Sequence, residues 1–103
     1  MAIDNQGEMY EFSGYGANVT IAAPGKDIWV TLPENDKEFV DGTSASTAFV
    51  TATVALMKSS NPNLTPKEIK QILINTASKI DAISDKCQAK GCLNVAQAIK
   101  SCK

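Results

Sequence analysis

The chain has 103 residues, 44% of them hydrophobic and 20% charged, so it is one small domain at most, able to bury roughly two-thirds of its unfolded surface around one core. Its formal net charge of −1 leaves no basic footprint for nucleic acid or an anionic membrane. The longest apolar run, Ala48 to Met57, is interrupted by threonines and is too short for a bilayer span; the start, MAIDNQGEMY, has neither a basic head nor an apolar stretch, so no leader states the compartment.

Residues 1–43 read as strands separated by turns. FSGYGAN is turn-rich; Ala17 to Gly25 has a β-branched apolar centre closed by Pro24-Gly25, and Asp27 to Pro33 alternates and stops at a proline. Pro33 to Phe39, PENDKEF, reads as a polar loop. From Ser44 the period becomes helical over residues 44–60. Ala45, Ala48, Phe49, Ala52, Ala55 and Leu56 recur at three- and four-residue spacing, and Val50 and Val54 fill the opposite side, which predicts a helix buried on every face. A second helix over residues 66–77 has a full start signal: Thr65 as cap, Pro66 in the first position, Glu68 closing a capping box. Its face of Ile69, Ile72, Leu73, Thr76 and Ala77 points to the core, and Lys67, Lys70 and Gln71 point to water. A third helix over residues 95–101 begins after Asn94, with Gln97 three residues on.

Cys87, Cys92 and Cys102 lie close together near the end of a chain without histidine, so a zinc set is incomplete and no metal site is assigned. One disulfide among them, with a leftover thiol paired elsewhere, fits better and points to an oxidising compartment. Together these elements predict an α/β layered domain. Its few strands cover only part of the central helix, the mark of a piece of something larger.

Ser44 stands where Gly42-Thr43 runs into that helix. A serine before an apolar helix is ordinarily a cap. The surrounding order changes the reading. Over nearly the whole chain, FSGYG, AAPG, GTSASTAFVTATVALM, NPNLTPKEIKQIL and GCLNVAQAI resemble, in register, the C-terminal third of a subtilisin-like serine protease, the subtilase or peptidase S8 family. In that family the nucleophile sits in G-T-S-x-[SA]-x-P; Gly42, Thr43, Ser44 and Ser46 match, and Ala48 stands where proline is usual.

The resemblance implies a parallel-sheet fold with a central buried helix and peripheral helices, the whole of residues 1–103 being a partial catalytic domain. It implies Ser44 as the catalytic nucleophile for polypeptide hydrolysis, its N–H as an oxyanion donor with support from Thr43 and Gly42, and Asp41 and Ala45 as contacts on the leaving-group side of the substrate. No cofactor is implied; calcium is compatible with the parent family, and no site for it is assigned. Secretion or export follows by the same resemblance. The family's Asp, His and oxyanion Asn lie upstream of this segment. Asp4, Asp27 and Asp41 are not in its aspartate motif, so the chain needs a missing upstream segment as partner and alone should be inactive. Two rivals stand beside this reading: a non-catalytic remnant kept for binding or structure, and an independent α/β domain in which Ser44 is only a cap.

Overall fold

The computed structural model describes residues 1–102; Lys103, the last residue of the expected domain, lies outside the described residues. The architecture is α/β. Strand β1 (Ala2–Ile3) pairs in parallel with β2 (Ala23–Pro24), Ala2 opposite Ala23 and Ile3 opposite Pro24. On the other side of β2 the chain at residues 19–22 is tied to residues 88–93: Gln88 N–H donates to Val19 O (2.7 Å), Ala89 N–H to Thr20 O (2.9 Å) and Leu93 N–H to Ala22 O (2.8 Å). Of the expected strand over Ala17–Gly25, only Ala23–Pro24 is a regular strand, with Ala22 adding a single parallel bridge to Cys92.

Side chains of residues 21–23, leading into β2, alternate between two cores, as extended backbone requires. Ile21 and Ala23 point into the larger one with Met57, Leu64, Ile69, Leu73, Ala98 and Cys102. Ala22 points into a smaller one with Ile3, Ile83 and Cys87.

Strands β3 (Ile28–Leu32) and β4 (Asp36–Val40) form an antiparallel hairpin with Trp29 opposite Phe39 and Leu32 opposite Asp36. This corrects the reading of Pro33–Phe39 as a loop. A short 3₁₀ turn, Pro33–Asn35, reverses the chain, with Glu34 and Asn35 left-handed at φ 63° and 62°. The polar residues of β4 are strand residues because the ladder to β3 satisfies their backbone groups; their polarity records solvent exposure, not irregular backbone. Strands β5 (Ser78–Lys79) and β6 (Gly91–Cys92) form a small antiparallel pair beside the second core.

Helix α1 (Thr43–Ser60) buries one stripe, Ser46, Thr53 and Met57 with Val50 half-buried between them. Its other faces are open: Ala48 and Ala52 are exposed, and Phe49 and Leu56 keep 39% and 51% of their surfaces. The expected all-round burial is therefore not achieved within the described residues, which cover the helix mainly from the side of β1, β2 and α3. Helix α2 (Pro66–Thr76) begins with the complete capping box: Glu68 N–H donates to Thr65 Oγ1 and Thr65 N–H to Glu68 Oε1, each at 3.2 Å. Helix α3 (Val95–Lys100) is capped by Asn94, whose Oδ1 accepts the Gln97 N–H at 3.1 Å. The end of α1 is fastened to the segment after α3, where Asn61 Nδ2 donates to Cys102 O at 2.7 Å. Among the described residues no helix is long and apolar enough to cross a membrane.

Candidate active site

Ser44 is the second residue of α1 and is exposed to solvent. The first four N–H groups of a helix have no partner within it, so the turn carrying Ser44 presents amide donors and the positive end of the helix dipole. Gly42, just before the helix, has φ 129°, a conformation that favours glycine, and no atom lies where its Cβ would be. The constraint at Gly42 is therefore backbone conformation rather than space.

Three sets of contacts fix this turn against β2 and the residues that follow it. Gly42 N–H donates to Gly25 O at 2.7 Å, and Gly25 N–H donates to Ile3 O at 2.9 Å, so the helix start continues the rungs of the sheet. The buried Ser46 hydroxyl points at two carbonyls, Ala23 O at 2.9 Å and Pro24 O at 3.1 Å. Asp41 accepts the Asp27 N–H at 2.8 Å, and its other oxygen lies 3.4 Å from Lys26 Nζ. Asp27 is left-handed at φ 56°, and the Asp41 carboxylate holds it there. Lys26 also reaches Asp27 Oδ1 at 3.8 Å and lies 5.7 Å above the Tyr10 ring.

The electrostatics follow from these contacts. The Asp27 N–H, and after it the Lys26 ammonium, hold the Asp41 carboxyl below its ordinary range. Asp27 and then Asp41 push Lys26 above the ordinary lysine range.

Thus the A-P-G and G-T-S-A-S segments, apart in sequence, make one site. Gly42, Thr43, Ser44, Ala45 and Asp41 lie together; Thr43 is exposed, with its carbonyl accepting the Thr47 hydroxyl at 2.9 Å. Ala45 lines an apolar groove with Ile28, Val30, Ala48, Phe49 and Ala52, between the hairpin and the open side of α1. Residues without an assigned role in the sequence prove central to placing the serine: Pro24, Gly25, Lys26 and Ser46. Pro24, Gly25 and Ser46 are present in the matched motifs as patterns with no mechanism attached, and Lys26 lies just outside them.

The cysteines do not join this site, and the expected disulfide is not formed. All three are free thiols, Cys87 and Cys102 buried and Cys92 half-buried. Each sulfur faces a main-chain carbonyl instead: Cys87 that of Gly91, Cys92 that of Leu93, and Cys102 that of Ala98 at 3.1 Å. Cys102 belongs to the larger core and Cys87 to the smaller, on opposite sides of β2. Burial, and then the neighbouring Cys87, push the Cys92 thiol up. Among the described residues no group of three or more Cys, Asp or Glu side chains could hold a metal ion, so nothing here assigns the calcium compatible with the resemblance.

A family model described as the subtilase family matches residues 1–95. One subunit of the subtilase cytotoxin of Escherichia coli is 39% identical over 88 residues, 84% of this chain and 25% of that protein. Alkaline elastase YaB of a Bacillus strain is 37% identical over 79 residues, 77% of this chain and 21% of its own length. Among solved structures, the A-subunit of the AB5 toxin from E. coli superposes with a TM-score of 0.81 at 36% identity, over 94% of this chain and 33% of that one. A protease of Pseudoalteromonas arctica superposes at 0.87 with 25% identity, over 99% and 34%. The chain thus spans a quarter or less of these two curated relatives.

Proposed function

The chain belongs to the subtilase family, and we propose that it is the nucleophile-bearing part of a serine endopeptidase that cleaves polypeptides through an acyl-enzyme. The observation that carries this is Ser44, exposed on the first turn of α1 while Ser46 and Gly42 pin that turn to Ala23, Pro24 and Gly25. A nucleophile needs a fixed position and donors aimed at the charge that develops on the carbonyl oxygen, and a helix start tied to a sheet supplies both.

In this reading Ser44 Oγ attacks the scissile carbonyl carbon as an upstream histidine takes its proton. The oxyanion gathers on the Ser44 N–H and an upstream asparagine, with Thr43 supporting it. Collapse expels the leaving amine, protonated by the same histidine, and water then hydrolyses the ester. Asp41 and Ala45 face the leaving-group side. The upstream part of the domain, bearing Asp, His and Asn, seats on the open apolar faces of α1. The whole protein acts after export, as the family resemblance suggests.

A second reading, a non-catalytic remnant, is favoured by one observation: Ala48 occupies the position where the nucleophile motif usually has proline. Fluorophosphonate labelling of wild type and Ser44→Ala, on the pure chain and in extract of its source, separates the two. Silence of the pure chain with Ser44-dependent labelling in extract is expected. Labelling of the pure chain would overturn the requirement for histidine, and silence in both settings would leave the remnant reading.

A further inference from the structure

Two of the three free thiols stand together. Cys87 is buried in the smaller core with Ile3, Ala22 and Ile83, and Cys92 packs half-buried against the same cluster. Cys102 lies on the other side of β2, in the larger core. A tight turn brings the first two within reach: Lys90 N–H donates to Cys87 O at 3.1 Å, Lys90 is left-handed at φ 57°, and β6 then runs back past Cys87. The Cys87 sulfur lies 3.8 Å from Gly91 O. Backbone geometry puts the Cys92 Cα about 3 Å from that oxygen, so the Cys87 sulfur is within about 7 Å of the Cys92 Cα. From there, rotation of two side chains can close a bridge whose Cα atoms stand about 4–7 Å apart.

Neither thiol has a strong partner to give up. Cys87 Sγ faces Gly91 O and Cys92 Sγ faces Leu93 O at 3.5 Å, and a thiol is a weak donor. When Cys87 turns away, Gly91 O keeps the Ala22 N–H at 3.2 Å, so that carbonyl is not orphaned. The backbone around the pair is fixed from two sides. Gln88 and Ala89 N–H donate to Val19 O and Thr20 O, Leu93 N–H donates to Ala22 O, and Ser78 and Lys79 pair with Cys92 and Gly91. A bridge across this turn joins two points that the fold already holds close. It also clamps the segment tied to residues 19–22, which lead into β2, the strand whose carbonyls accept the Ser46 hydroxyl.

We propose that Cys87 and Cys92 are a redox pair: oxidation by a small-molecule disulfide joins them and locks the 87–92 turn, while Cys102 stays a free thiol. The half-buried Cys92 reacts first. Its thiolate attacks one sulfur of the small disulfide, that S–S bond breaks, and one small thiolate leaves. The Cys87 thiolate then attacks the Cys92 sulfur and expels the second small thiolate. The pair loses two electrons, the small disulfide gains them, and the two cysteine protons end on the two released thiols. Burial pushes the Cys92 thiol up and makes the first step slow. The pair needs neither Ser44 nor an upstream segment, so it stands apart from the protease reading.

The reduced chain is equilibrated with mixtures of reduced and oxidised glutathione, remaining thiols are alkylated, and tryptic peptides are weighed. Trypsin cuts after Lys86, Lys90 and Lys100, so the cysteines fall on separate peptides, residues 87–90, 91–100 and 101–103. The expected product joins 87–90 to 91–100, with Cys102 alkylated. The equilibrium constant for this bridge is expected to be about tenfold larger in the folded chain than in urea, and the bridged chain to have the higher Tm. Cys102→Ser leaves the bridge intact, and Cys87→Ser leaves a glutathione adduct on Cys92. A crosslink that includes residues 101–103, glutathione adducts alone, or an equal equilibrium constant in buffer and in urea would each overturn the pair.

Discussion

Substituting Gly25 by alanine tests whether the helix start is held by close approach of three segments. A Cβ on Gly25 would fall on Ser46 Oγ, 2.5 Å from Ala2 Cβ and 2.7 Å from Gly42 O. None of the three is the free end of a flexible side chain: one is backbone, one is an alanine methyl, and the hydroxyl is held by two carbonyls. Overpacking of this kind costs about 1–3 kcal/mol, and three such contacts place it at the upper end. Separating the segments also weakens the 2.7 Å bond from Gly42 N–H to Gly25 O, worth about 1 kcal/mol, while the stiffer unfolded chain returns about 0.7 kcal/mol. The net is about 3 kcal/mol, or on the order of 15 °C in Tm for a domain of this size. Urea and thermal unfolding followed by helical circular dichroism measure it. Gly14→Ala is the control, since no atom lies within 4 Å of its Cβ position and its φ is ordinary. Removing the hydroxyl in a Gly25→Ala, Ser46→Ala double variant should recover part of the loss, a positive coupling in a double-mutant cycle. A Gly25→Ala chain within about 0.5 kcal/mol of wild type would refute the reasoning, because an unexceptional surface substitution does no worse.

Two further outcomes follow from the titrating groups. Because the folded-state pKa of Asp41 is lowered, its contribution to stability is complete above the unfolded carboxylate value near ~3.9 and disappears as pH falls through the lower folded value. Wild type should therefore lose Tm more steeply than Asp41→Asn below pH ~4, and parallel curves would contradict the role given to that carboxylate. The thiols give the second: with Cys87 and Cys102 buried and Cys92 pushed up, the folded chain should react slowly with an aromatic disulfide reagent near pH ~8, and all three cysteines should titrate once it is unfolded. Fewer than three thiols in denaturant would mean that a bridge had formed after all.

What the sequence makes legible and what it hides divide along a physical line. Thr65, Pro66 and Glu68 announce α2 because a cap is a contact between near neighbours, complete within four residues. The start of α1 at Gly42-Thr43-Ser44 is legible for the same reason, together with the register of the surrounding motifs. Strand β4 is not, since Asp36–Val40 is extended only by pairing with Ile28–Leu32, and its polar side chains read like a loop until the partner is known. Likewise the demand for burial of α1 is visible, but which stripe these residues cover depends on where β2 and α3 lie. Gly25 and Ser46 are 21 positions apart, and nothing local states that one must lack a Cβ because the other stands there. Cysteine spacing alone does not state a bridge: the strand between the two cores separates Cys87 from Cys102, while Cys87 and Cys92 share the smaller core as free thiols, each facing a main-chain carbonyl.

The rungs between residues 19–22 and 88–93 tie the placement of Ser44 to the far end of the chain. They close a loop of about seventy residues, and β2, the strand they complete, is the one on which Ser46 and Gly42 lean. Contacts so distant along the chain carry a large loop-closure entropy and slow folding. The start of α1 at Ser44 therefore leans on a strand that is complete only once residues 88–93 have docked, and its placement depends on closing one of the longest loops in the chain.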